Sequence, residues 1–153
     1  MAPVPLTPRP LTISERAVLE HILSVDFDGA SALRVQLDRV EVVATWGAES
    51  PSIDLRVREP VQRASLPTRL LPVNAQVLDP SGEYIGELLA WVEQGAVLVG
   101  LEYAWVTDDP PLHLPAIEHI HRTAAASRSG TADSDPMDVI GDTSGQVVTL
   151  NAS

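Results

Sequence analysis

Residues 83–106, EYIGELLAWVEQGAVLVGLEYAWV, decide the fold of this chain. Two runs, Glu83–Glu93 and Ala96–Val106, alternate apolar with polar or small residues around Gln94-Gly95, as two half-buried strands joined by a tight turn do. Setting Glu93 opposite Ala96 puts Val92/Val97, Ala90/Val99, Leu88/Leu101, Gly86/Tyr103 and Tyr84/Trp105 on one face. That face is a core face. The other receives Trp91/Leu98, Leu89/Gly100, Glu87/Glu102 and Ile85/Ala104, an apolar surface with two carboxylates directly across from each other. Like charges so placed destabilise a strand pair by up to about 1 kcal/mol. Three readings follow: the pair is solvated, or a bulge shifts the register; the pair accepts an Arg or Lys of a partner, with Trp91, Leu89 and Ile85 as apolar anchors; or it binds a cation or shares a proton as a catalytic dyad.

Upstream of the hairpin, Asp79-Pro80-Ser81-Gly82 is a turn by composition, and Pro72–Leu78 reads as a strand burying Val73, Ala75 and Val77. A further pair of strands alternates at Val42, Ala44, Trp46 and at Ile53, Leu55, Val57. Trp46 opposite Ile53 gathers all six on one face and sets Glu41 opposite Arg58, a favourable cross-strand pair. Before them, Thr12-x-x-Glu15 is a capping box. Val18, Leu19, Ile22 and Leu23 behind it have helical spacing, and a second helix, N-capped by Asp28, carries Ala30, Leu33, Leu37 and Val40. Residues 1–10 form a proline-rich leader and 11–112 a single domain. Residues 113–128 hold a short helix started by Pro115 and carried by Ala124–Ala126, and 129–153 form a flexible or partner-docked tail. Short connections favour pairing between neighbours in sequence. The expected fold is therefore α+β: two N-terminal helices on a five-stranded, mainly antiparallel meander, then a short C-terminal helix and tail.

Charge is distributed unevenly. Residues 1–69 carry eight Arg and nine acids, whereas 70–121 carry eight acids and no Arg or Lys. Such a field repels nucleic acid and anionic membranes and favours a basic partner. The chain has no cysteine, which excludes disulfides, thiolate nucleophiles and Cys-ligated zinc. No apolar stretch is long enough for a membrane span, and a cytoplasmic location is the default expectation.

Leu11-Thr12-Ile13-Ser14-Glu15-Arg16, then Leu23-Ser24-Val25-Asp26-Phe27-Asp28-Gly29, then Leu33-Arg34-Val35-Gln36, resembles the opening of a family of short, largely actinobacterial α+β proteins. Pro51-Ser52-Ile53-Asp54-Leu55-Arg56-Val57 and Gly100-Leu101-Glu102-Tyr103-Ala104-Trp105 are similar to that family's later strands. Asp28 stands where the family favours proline, and the Gly47–Glu49 turn lacks the cysteines that many relatives carry there. The resemblance covers residues 11–112. It implies a fold and domain boundaries and brings no activity with it.

The chain has no Gly-x-Ser-x-Gly elbow, phosphate loop, metalloprotease His spacing or calcium loop. No catalytic residue, metal ligand or cofactor is therefore assigned. His119-x-His121 would share a metal only on an extended strand, and His21 reads as a structural residue of the first helix. Three functions remain. The first is a non-enzymatic module of the immunity or inhibitor kind, binding a basic partner through Ile85, Glu87, Leu89, Trp91 and Glu102. The second is an assembly protein, phage-derived or otherwise, that self-associates through this face and its tail. The third is a hydrolase using Glu87 and Glu102.

Overall fold

The computed structural model describes residues 3–125 and, as backbone, two further strands within 140–152. Thr12 caps helix α1 (Ile13–Leu23) with both halves of a capping box: its side chain accepts from the Glu15 amide, and the Glu15 carboxylate accepts from the Thr12 amide. Glu15 also pairs with Arg9 through two contacts of 2.9 and 3.0 Å. This fork binds the leader to the helix. The leader is no loose segment: Val4–Pro10 forms strand β1. Helix α2 (Ala30–Gln36) starts from Gly29 at φ +96°, not from Asp28. At Gly29 a Cβ would sit 3.1 Å from that of Ala64, so the loop over 59–72 packs close upon this turn.

A 3₁₀ turn leads into β2 (Val40–Thr45), followed by β3 (Ile53–Val57), β4 (Val73–Leu78), β5 (Tyr84–Glu93), β6 (Val97–Trp105) and β7 (Ile120–Ala124). They form one antiparallel sheet in the order β1-β2-β3-β6-β5-β4-β7. The five-stranded meander is thus corrected in three places. The leader adds an edge strand. The helix expected within 113–128 is a 3₁₀ turn (Ile117–His119) followed by β7, paired to β4 from Val73↔Ala124 to Val77↔Ile120. Finally, β3 pairs with β6 and not with β4. Alanine's helix preference at Ala124 yields to the hydrogen bonds that β7 supplies to an otherwise open β4 edge. The expected tail over 129–153 lies outside the described residues except for strands β8 (Ile140–Ser144) and β9 (Val147–Ala152), which pair with each other.

The sheet therefore consists of two halves, each contiguous in sequence: β1–β3 and β4–β7, joined at the β3/β6 seam. That seam is short, with Ile53↔Leu101 and Asp54↔Gly100 in register. Ser52, 3% exposed, extends it with a side chain: its Oγ accepts from the Tyr103 amide at 2.9 Å. Both helices cover one face, where Leu19, Leu23 and Leu33 meet Val42, Ile53, Leu88, Leu98 and Leu101 in the core. Each such side chain contributes about 1.5–3 kcal/mol by leaving water.

Two polar side chains, the exposed Arg34 and the buried Gln36, brace this packing. Arg34 donates from Nε to the Leu23 carbonyl at 2.6 Å, satisfying the exposed C-terminus of α1. Gln36 is fully buried at the tip of the β5–β6 hairpin. Its Nε2 donates to the Gln62 and Ala96 carbonyls at 3.0 and 2.9 Å, and its Oε1 accepts from the Leu98 amide at 3.0 Å. The Arg and Gln of the Leu33–Gln36 motif and the Ser of the Pro51–Val57 motif are therefore framework residues.

Candidate functional site

The face of the sheet away from the helices is set by two β-bulges. In the first hairpin, Val42 pairs with Leu55 but Ala44 pairs with Asp54, so Val43 is the extra residue. Parity flips beyond it, and Trp46 leaves the core face that simple alternation gave it. Its indole N–H donates to Asp54 Oδ1 at 3.0 Å. Glu41 opposes Arg56, not Arg58, and pairs with it at 2.9 Å. In the second hairpin, Gln94 and Gly95 have φ +54° and +71°, the signature of a type I′ turn. Glu93 then opposes Val97, and a bulge falls between Trp91↔Gly100 and Val92↔Leu98.

Beyond the bulge that register shifts the expected partners by two residues and keeps the faces. Between turn and bulge it reverses them: Leu98, expected opposite Trp91, is buried opposite Val92, and Val97 and Val99 leave the core face. Glu87 lies opposite Ala104, and Leu89 opposite Glu102. The two carboxylates are therefore not a cross-strand pair but diagonal neighbours, about 7–8 Å apart at Cα. Each has its own partner. Glu102 Oε1 accepts from the Trp91 indole N–H at 3.1 Å, and Glu87 Oε1 accepts from the Tyr84 hydroxyl at 3.0 Å. Burial, then the Glu87 carboxylate, holds the Tyr84 phenol above its ordinary pKa. The like-charge conflict expected from sequence is removed by the turn and the bulge.

Ile85, Glu87, Leu89 and Trp91 alternate with the buried Gly86, Leu88, Ala90 and Val92, and all four are half-buried. Ile85, at the strand's start, also packs partly against the core. Glu102 joins them from β6. The bulge in β2 brings in what alternation did not show: Trp46 and Asp54. Trp46 and Trp91 flank a shallow depression of about 210 Å³, with Gly100 between them and Arg69 at its border. The open face thus carries two tryptophans, each tied through its N–H to a carboxylate one strand away. A fixed indole exposes apolar area without a rotamer cost on binding.

A second, larger concavity of about 450 Å³ lies where the β2–β3 turn, the end of β6 and the Pro110–Leu112 segment converge. Trp46, Tyr103 and Trp105 line it, with Glu49 and Glu102. Trp105 is 44% exposed, whereas Tyr103 is 5% exposed and burial pushes its phenol pKa up.

The histidines serve elsewhere. His21 Nε2 lies 3.1 Å from the Ile120 carbonyl and joins α1 to β7. His119 sits in the 3₁₀ turn and His121 on β7. Among the described residues, no three His, Asp or Glu side chains converge as metal ligands do. Among the same residues, no helix is long and apolar enough to cross a membrane.

Compared with protein-family profiles, with curated proteins and with solved structures, the chain shows no match.

Proposed function

We propose that this chain is a non-enzymatic, acidic interaction module that docks a basic protein on the open face of its sheet. The observation that carries this reading is the pair Trp46–Asp54 and Trp91–Glu102: two half-buried indoles oriented by carboxylates on the face away from the helices. Tryptophans bordered by charge are the residues interfaces use as anchors. Ile85, Leu89 and Trp91 supply apolar area, and Glu87 and Glu102 supply the charge that selects a cationic partner. The 52 residues from 70 to 121, without one Arg or Lys, extend the same field around the face.

The test compares capture by the wild type with capture by Trp91→Ala/Glu102→Gln at about 50 and 500 mM salt. The expected result is a basic protein retained by wild type at low salt, released at high salt and lost by the variant. No protein distinguishing the two, or an acidic one, overturns the reading.

A second reading, self-association, is favoured by the edges of the sheet. Strand β1 carries Pro5, Pro8 and Pro10, which cannot donate to a further strand. Strand β7 carries no proline and ends the sheet with four exposed residues. A salt-insensitive dimer in sedimentation, broken by Ala124→Pro, whose backbone N–H faces away from β4, supports this second reading over the first.

A further inference from the structure

We infer that the 450 Å³ groove at the end of the sheet is a binding site for a small organic cation bearing an alkylated ammonium group. The groove shares Trp46 and Glu102 with the docking face, but its other walls come from the β2–β3 turn, Trp105 and Pro110–Leu112, and Trp91 is not among them. The volume falls in the range of small-molecule sites, about 300–1,000 Å³. Three of the chain's six aromatic residues gather there, Trp46, Tyr103 and Trp105. Trp46 has its N–H engaged by Asp54, so what it offers a ligand is its ring.

Charge decides the ligand class. Glu49 and Glu102 line the groove, and among the described residues no Arg or His does. Asp108 and Asp109 immediately precede its Pro110 wall in sequence. An anion would meet carboxylates without a compensating cation. A neutral molecule would gain only burial. An alkylated ammonium gains both the ring faces, by cation–π attraction, and the carboxylates. Methyl groups on the nitrogen suit apolar walls that a bare, strongly hydrated ammonium does not.

The topology favours a free molecule over a peptide side chain. Strands β2, β3 and β6, which border the groove, are all interior to the sheet. Strand β6 runs past its pairing with β3, which ends at Leu101. The Tyr103 amide there is already engaged by Ser52 Oγ, so a peptide main chain finds one of the donors it would need occupied.

The experiment follows the three indole N–H resonances of the full 153-residue chain by NMR during titration with choline. Neohexanol, its uncharged carbon isostere, and a trimethyllysine peptide are titrated in parallel. The expected result is saturable movement of the Trp46 and Trp105 resonances with choline, and binding of neohexanol at least about tenfold weaker. Trp105→Ala abolishes the response and Trp91→Ala keeps it, so failure of the docking face leaves this result intact. Glu49 is exposed, so Glu49→Gln leaves the fold undisturbed and weakens choline binding roughly threefold. No saturation by about 10 mM, equal binding of neohexanol, or movement confined to Trp91 overturns the site. A peptide binding more than about tenfold tighter than choline overturns its occupant.

Discussion

Replacing Gln36 by leucine tests whether one amide locks the hairpin tip to the helices. The side chain is fully buried and makes three hydrogen bonds, so the substitution keeps the volume and removes every one. Their losses are unequal. The Ala96 carbonyl keeps a second donor, the Ala64 amide at 3.0 Å, and Gln62 is itself exposed, so its carbonyl has water within reach. The Leu98 amide loses its partner inside the core, beside the bulge, at a cost of about 1–3 kcal/mol. The two carbonyls add about 1 kcal/mol between them, and leucine's better transfer to an apolar site returns about the same. The net expectation is a loss of about 2 kcal/mol, large against a typical stability of about 5–15 kcal/mol. Urea denaturation followed by tryptophan fluorescence reads it as a lower midpoint at unchanged slope. Hydrogen exchange places the loss at the Leu98 amide. Gln36→Glu sharpens the result: a protonated acid keeps one donor while a carboxylate keeps none, so that variant gains stability as pH falls from 7 toward 5. A Gln36→Leu protein within about 0.5 kcal/mol of wild type refutes the bracing role.

Glu15 gives the chain an acid limb. Burial acts to raise its pKa, but the Arg9 guanidinium and the Thr12 amide outweigh burial and hold it below the ordinary carboxylate value. Its contribution is therefore complete above the unfolded pKa of about 4.3 and is lost as pH falls through the lower folded value. Arg9→Met should flatten this limb in urea midpoints taken from pH 2 to 7; an unchanged limb removes Arg9 from the account. Gly95→Ala should cost more than about 2 kcal/mol, because its Cβ would lie 2.1 Å from the Leu66 carbonyl oxygen at φ +71°. Gly82→Ala, at φ +91° with no atom within 4 Å, should cost about 1 kcal/mol, and equal losses at the two sites would contradict the steric argument. Glu102→Gln keeps an oxygen for the Trp91 N–H, so thermal stability should move by less than about 0.5 kcal/mol while affinity for a basic partner falls. A variant that binds as tightly as wild type shows that Glu102 acts only as an indole clasp.

The helices were legible because a capping box and a 3.6-residue stripe are local signals, carried by Thr12, Glu15, Val18 and Leu19 themselves. Strand positions and the two faces of β5 were legible for the same reason: alternation from Ile85 to Val92 needs no knowledge of a partner. Pairing is another matter. One extra residue at Val43 reverses every side chain after it, and nothing in the run Val42-Val43-Ala44 marks where the extra residue sits. Trp46 was therefore assigned to the core, and Asp54 was not recognised as its partner. The type I′ turn at Gln94-Gly95 was visible, but its loop length fixes the register, and one further residue separated Glu87 from Glu102. Strands β1 and β7 were hidden by prolines and alanines whose local preferences lose to tertiary hydrogen bonds. The seam between β3 and β6 joins residues some fifty positions apart, beyond the reach of any neighbour rule.

The order of the sheet has a mechanical consequence. Strands β1 and β7, the first and last of the seven, occupy opposite edges, six inter-strand steps or roughly 29 Å apart. Each is held by a single neighbour. Tension applied between Val4 and Ala124 therefore loads the two edges across the strands, one hydrogen bond after another, and does not shear the core strands along their length. The sheet should unzip from its rims at low force, while β3, β6 and β5 stay clamped beneath the helices until the edges have gone.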